Sequence, residues 1–245
     1  MISTKGFGIP LLDEFIGGGL DKNTLTTIVG TLGVGKTVLS SHWIAEGAKN
    51  GETCVYVSTR MPITTIENYL GNLNFMLDVF DRIYWRVVEV DARQIMPLTH
   101  EKITEWLENL IGFELEKVDR LVFDVVTSIY RALGDVVLYR RALKSLEMVL
   151  YENDVTAIFV EEADSVKDAS ITVGASSCAI YLSYINTQAG EMRAMKIIKR
   201  YRKTHPLNWI PYEITEEGIR IKRGLCIPKD HEYILIGEEY EHGSG

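Results

Sequence analysis

The stretch Gly30-Thr31-Leu32-Gly33-Val34-Gly35-Lys36-Thr37 fits G-x-x-x-x-G-K-[ST], the phosphate-binding P-loop. Ahead of it, residues 24–29 read TLTTIV, β-branched and apolar as a buried parallel strand requires. Behind it, residues 38–49 predict a helix with Leu39 and Trp43 inward, ended by Asn50-Gly51. Strand, glycine loop and helix N-terminus, in that order, are what phosphate binding needs. Gly33 and Gly35 lack the Cβ that would keep the backbone from turning tightly, and consecutive N–H groups then form an anion nest at the positive end of the helix dipole. Lys36 adds a point charge for the β- and γ-phosphates, and the Thr37 hydroxyl is placed to ligate Mg²⁺. The expected phosphate contacts are Thr31, Leu32, Gly33, Val34, Gly35, Lys36, Thr37 and Val38, and the expected cofactors are ATP and Mg²⁺.

The next motif comes almost ninety residues later. Residues 119–124 read DRLVFD, an apolar strand ending in a carboxylate. In a P-loop protein this is the Walker B arrangement, with Asp124 holding the Mg²⁺ shell beside Thr37. Between the two motifs the pattern predicts a strand at 53–59, a helix from 64 toward 75, a half-exposed strand at 83–90 and an amphipathic helix at 101–116. Beyond them come a helix at 136–152 and a buried strand at 155–160 that ends in Glu161-Glu162. From residue 177 the pattern changes. Residues 177–187, 192–202, 212–214 and 218–222 alternate like antiparallel strands, with turns at 189–191 and 216–218. The expected fold is therefore α/β: a mostly parallel sheet between helices, extended by antiparallel C-terminal hairpins.

Composition sets the frame. A chain of 245 residues with 46% hydrophobic content is read as one domain over 1–235, with an acidic flexible tail at 236–245. The net charge of −8 argues against a globally basic nucleic-acid binder. Cys54, Cys178 and Cys226 stand far apart with no C-x-x-C, and no apolar run reaches spanning length. The expectation is a cytoplasmic protein without membrane insertion.

P-loop, Asp strand and closing hairpins together resemble the RecA superfamily, and more finely the single-domain archaeal KaiC-like ATPases, also described as RadA paralogs. GIPLLDEFIGGGL at 8–20 resembles that group's G-x-P-G-[LV]-D-x-x-[LI]-G-G-G-[IL]. NGETCVYVS at 50–58, RLVFDVVTSIY at 120–130 and YEITEEGIRI at 212–221 resemble three more of its motifs. The resemblance covers roughly residues 6–223. It implies ATP with Mg²⁺, a homo-oligomer with sites shared between neighbours or a recombinase or motor partner, and a regulatory role in recombination, DNA repair or signalling.

Two departures qualify what the resemblance implies. Where the group carries glutamates that activate the attacking water, this chain reads Thr59-Arg60-Met61, and an arginine cannot accept a hydrogen bond. Two readings follow: a weak ATPase whose cycle is completed across a subunit interface, or a non-hydrolysing nucleotide-sensing scaffold, which the archaellum accessory ATPase resembles. Glu162, at the group's γ-phosphate sensor position, is read as a sensor, as a substitute base, or with Glu161 as the cap of a solvated loop. The neighbour-reaching motif L-K-x-R-G-[ST]-x-H is matched by IKRYRKTH at 198–205, in which Lys199 and His205 agree and Tyr201 replaces the arginine. Lys199 is thereby implied to stabilise γ-phosphate charge in trans. The basic run from Arg193 to Lys203 admits a solvated hairpin, a subunit interface or, with least support, DNA contact. Residues 164–175 read as a mobile loop with Lys167 as its one cation, poor support for DNA binding.

Overall fold

The computed structural model describes residues 3–236 apart from 97, 189, 223, 230 and 231. The expected acidic tail thus lies outside the described residues beyond 236, as does Ala189 of the expected 189–191 turn. In chain order the elements begin with β1 (Thr4–Lys5), α1 (Pro10–Phe15), β2 (Leu20–Asp21), β3 (Leu25–Gly30), α2 (Lys36–Lys49), β4 (Cys54–Ser58) and α3 (Ile63–Leu70). They continue with β5 (Ile83–Val87), α4 (Ala92–Ile95), α5 (His100–Ile111), β6 (Arg120–Asp124), α6 (Thr127–Leu133), α7 (Val136–Glu152), β7 (Thr156–Glu162) and α8 (Ser170–Ala175). The chain closes with β8 (Cys178–Thr187), β9 (Gly190–Arg200), β10 (Ile210–Thr215), β11 (Gly218–Ile221), β12 (Leu225–Lys229) and β13 (Glu232–Ile236).

One eleven-stranded sheet organises the molecule. Its path is β11-β10-β9-β8-β3-β7-β6-β4-β5, with β13 joined to β8 and β12 to β13. From β5 to β8 every pairing on that path is parallel; beyond β8 the pairings are antiparallel. This is the expected fold class, with one refinement. The strand read as the first arm of a hairpin, β8, has two kinds of neighbour: Thr26–Gly30 of β3 in parallel and β9 in antiparallel. A parallel strand inside a sheet is buried on both faces, and β8 is continuously buried over 178–180 and intermittently from residue 181 onward.

Alternation along the strands divides two cores. Val122, Ile158, Val160 and Ile28 face α2; Leu121, Phe123, Ala157 and Phe159 face α5 and α7. Hence Tyr56, Asp124 and Glu162, in phase with the first set, are delivered to the P-loop side.

Several boundaries moved for local reasons. The helix expected over 101–116 stops at Ile111, because Gly112 takes φ 75° and donates to Glu108 O at 2.7 Å, a glycine C-terminal stop. The helix expected toward 75 ends at Leu70, and the strand expected over 83–90 ends at Val87. Residues 164–175, expected as a loop, contain α8 packed beside β3, with Thr172 buried. The lead-in likewise contains α1, whose Asp13 accepts from Phe7 N at 2.7 Å and Gly8 N at 3.1 Å. Among the described residues no helix is long and apolar enough to cross a membrane.

Candidate nucleotide site

The P-loop leaves the C-terminal end of β3 and turns into α2 through Gly35, which sits at the helix N-cap with φ 98°. A Cβ there would press on Ile214 Cδ1 at 2.6 Å, a side-chain end that can yield, so it is the left-handed dihedral that calls for glycine. No side chain caps α2. Its first N–H groups are therefore left for an anion, as helix geometry dictates.

Lys36 is only 7% exposed. Its Nζ donates to Gly30 O at 2.7 Å and Thr31 O at 2.6 Å. Burial pushes its ammonium below the usual lysine range, Asp124 and Glu162 oppose that fall, and Arg60 adds to it. The Thr37 hydroxyl donates to Asp124 Oδ2 at 2.7 Å, and the Tyr56 hydroxyl donates to the same oxygen at 2.7 Å. Burial raises the Asp124 carboxyl above its ordinary value, and the hydrogen bonds from Thr37 and Tyr56 only partly offset this. A hydroxyl and a carboxylate brought together are hard oxygen donors of the kind Mg²⁺ takes. A cavity of about 160 Å³ opens over these groups, with Arg60 and Tyr69 on its rim. A larger cavity of about 670 Å³ between the lead-in, α2 and β11 is lined by none of the P-loop residues and not by Asp124. Lys36, Thr37 and Asp124, picked from sequence for one site, stand together in the smaller one.

Residue reasoning missed the loop's supports. Tyr184 Oη donates to Gly33 O at 3.1 Å, Arg193 Nη2 reaches the same carbonyl at 3.5 Å, and Tyr212 Oη donates to Val34 O. All three come from β8, β9 and β10. Nothing local marks these residues; only the strand order brings them to the loop.

Glu161 and Glu162 part company because strand residues alternate between faces. Glu162 forms an ion pair with Arg60 Nη1. Glu161 points to the other side, 6% exposed, and among the described residues its Oε2 has no hydrogen-bond partner. Burial raises its carboxyl to about 7, against a lowering hydrogen bond from Thr172. Neither glutamate caps a solvated loop. A carboxyl held neutral in the native state makes folding bind a proton, so its contribution is complete below the unfolded value of 4.5 and is lost as pH rises through about 7. Urea unfolding of wild type and Glu161→Gln should therefore diverge: between pH 5 and 8 wild type loses on the order of 3 kcal/mol more than the variant. Parallel pH profiles would remove Glu161 as the source.

The basic run disperses. Arg193 goes to the P-loop, Lys196 lies 5.9 Å from the Trp209 ring centre, and Arg200 is buried against Asp21. Lys203 donates to Gly17 O at 2.6 Å. Lys199 Nζ donates to Val173 O at 3.1 Å and Gly174 O at 3.2 Å, on the last turn of α8. Its β8 partner is Ala179, which in turn pairs with Thr27 near the start of β3, so within one chain Lys199 lies at the end of the sheet away from the P-loop. His205 Nδ1 lies 3.0 Å from Pro206 O.

A family model described as "ATPase: KaiC" matches residues 6–225. The chain belongs to the KaiC ATPase family. It is a nucleotide-binding protein of RecA-like fold. The circadian clock protein KaiC2 of Synechocystis sp. is 26% identical over 227 residues, covering 87% of this chain and 39% of that protein. The chain thus spans about two fifths of that relative's length. A UPF0273 protein of Thermotoga maritima is 24% identical over 236 residues, covering 90% of this chain and 96% of that protein. In structure, a KaiC-like protein from the hyperthermophilic archaeon Pyrococcus horikoshii OT3 aligns with TM-score 0.74 and 23% identity, over 91% of this chain and 100% of that one. That likeness speaks to the fold.

Proposed function

We propose that this KaiC-family chain is a Mg-ATP-binding regulator that hydrolyses its nucleotide slowly or not at all and acts through the occupancy of the site. The observation that carries this is Arg60, which holds the strand-end position after β4 and is ion-paired to Glu162. A general base must accept a proton from water. Arg60 has no acceptor, and Glu162 must first leave its guanidinium partner. Lys36 and the P-loop backbone would hold the phosphates, with Thr37 and Asp124 holding the ion. Bound Mg²⁺ would neutralise phosphate charge. The protein's own groups would orient the triphosphate, and among the described residues lining the phosphate cavity the carboxylate is Asp124, held by Thr37 and Tyr56.

The relatives named circadian clock proteins support a regulatory output in signalling; an accessory role in recombination and repair rests on the RadA-paralog resemblance alone. Dispersal of the basic run gives DNA no continuous cationic track. A second reading, a weak ATPase completed by a second copy of the chain, is favoured by the place of Lys199. It lies far from its own P-loop, where it bonds the last turn of α8, so any phosphate it meets would be a neighbour's. Mg-ATP binding with no single-turnover hydrolysis at any protein concentration supports the first reading. Turnover that rises with protein concentration and is lost in Glu162→Gln supports the second and overturns action through occupancy alone.

A further inference from the structure

The turn that follows β4 is pinned from two sides. Thr59 N donates to Asp124 O at 2.7 Å, and Thr59 Oγ1 accepts from Val125 N at 3.0 Å. Ser58 Oγ accepts from Met61 N at 3.0 Å and donates to Met61 O at 3.1 Å. Arg60 is thereby fixed at the rim of the phosphate cavity, on the same lining as Lys36, Thr37 and Asp124. Its guanidinium reaches across to Glu162 at the end of β7, which pairs in register with Gly30, the first residue of the P-loop. The arginine side chain is 44% exposed and the glutamate 23%.

We propose that Arg60 reads the γ-phosphate in cis, exchanging the Glu162 carboxylate for the terminal phosphate of bound ATP, so that the chain tells ATP from ADP without hydrolysing it. The inference rests on the Mg-ATP reading above and deepens it.

Three physical points carry the proposal. An exposed carboxylate–guanidinium pair contributes little in water, so giving it up costs little. The γ-phosphate offers the planar fork of Arg60 the same oxygen geometry with more charge. At the site the two cations Lys36 and Arg60 face the two carboxylates Asp124 and Glu162. A γ-phosphate adds negative charge beside Glu162, and Arg60 moved onto the phosphate would stand between the two anions. ADP ends one phosphate short, and the Arg60–Glu162 pair persists beside it. Arg60 thus occupies a glutamate's place and does another task, as an arginine finger supplied by the same chain.

The test is calorimetric titration of the full chain with Mg²⁺ and either ADP or the non-hydrolysable analogue AMPPNP. Wild type should prefer the triphosphate. Arg60→Ala should weaken AMPPNP at least tenfold and ADP less than twofold, and Arg60→Lys should fall between. Glu162→Gln removes the competitor and should tighten AMPPNP about threefold with ADP unmoved. Thermal melting checks that each variant is folded. Equal losses for both nucleotides in Arg60→Ala, or weaker AMPPNP binding in Glu162→Gln, overturn the exchange while leaving nucleotide binding in place. Wild type binding neither nucleotide, or Lys36→Ala binding as wild type does, instead brings down the parent reading and this inference with it.

Discussion

Lys36→Ala is expected to weaken Mg-ATP binding about a hundredfold. Hydrogen bonds from a cation to a charged group contribute roughly 1.5–3 kcal/mol each, and Lys36 brings the one P-loop ammonium. Its present partners, Gly30 O and Thr31 O, hold it inside the loop at 2.7 and 2.6 Å. The cation is therefore already at the cradle and needs no large rearrangement to meet a phosphate. Stability should behave differently. Because burial disfavours this charge, Lys36→Met should leave the melting temperature close to wild type while abolishing tight binding. Equilibrium titration beside thermal melting separates the two effects. An affinity unchanged in Lys36→Ala would mean that the nucleotide sits elsewhere.

Arg200→Ala is expected to have the largest effect on folding. The Arg200 side chain is fully buried. Its Nη1 donates to Asp21 Oδ2 at 2.8 Å and its Nη2 to Asp21 Oδ1 at 3.0 Å. The same guanidinium donates to Gly19 O at 2.9 Å and Ile16 O at 3.1 Å. Removing one partner of a buried pair leaves a charge with no compensation, at a cost of about 3–5 kcal/mol. For a chain of this size that corresponds to a fall of roughly 10 °C in melting temperature. Asp21 gives the effect a pH signature. Burial raises its carboxyl, but the hydrogen bond and charge of Arg200, aided by Lys203, outweigh burial and hold it below the ordinary 3.8. Its stabilisation is thus present above 3.8 and is lost as pH falls through the lower native value. The double variant Arg200→Met with Asp21→Leu, which removes the buried pair and leaves Lys203 its bond to Gly17 O, should be less destabilised than Arg200→Ala. A melting temperature in Arg200→Ala within two degrees of wild type would refute the argument.

These two residues also show what could be read from the chain and what could not. Lys36 and Thr37 are fixed by local chemistry. A glycine loop between an apolar strand and a helix has few other uses, and an Asp at the end of a later apolar strand has an obvious place beside it. Arg200 looked like one cation in a basic run because its meaning depends on Asp21, 179 residues away in the chain. Arg60 is a similar case. The sequence showed only a lost glutamate, and its pairing with Glu162, 102 residues distant, follows from strand order. Arg120 adds a third: 2% exposed, it bonds Gly6 O and Trp43 O and pairs with Glu52, joining three segments. Buried cations escape pattern reading because periodicity reports where apolar groups go. Helix ends escaped where a single glycine, Gly112, outvoted a continuing apolar stripe.

The double-sided strand β8 has a mechanical corollary. Tyr184 lies on it, Arg193 on the strand next to it and Tyr212 on the one beyond, and each grips a carbonyl of the P-loop. Gly33 and Val34 are thus tethered to three C-terminal strands as well as to their own strand and helix. A change of shape in those two peptide units pulls on the sheet's antiparallel edge, and strain applied at that edge is felt in the loop. The C-terminal strands serve as the suspension of the phosphate cradle, and a partner gripping them would hold the site through its springs without touching the nucleotide.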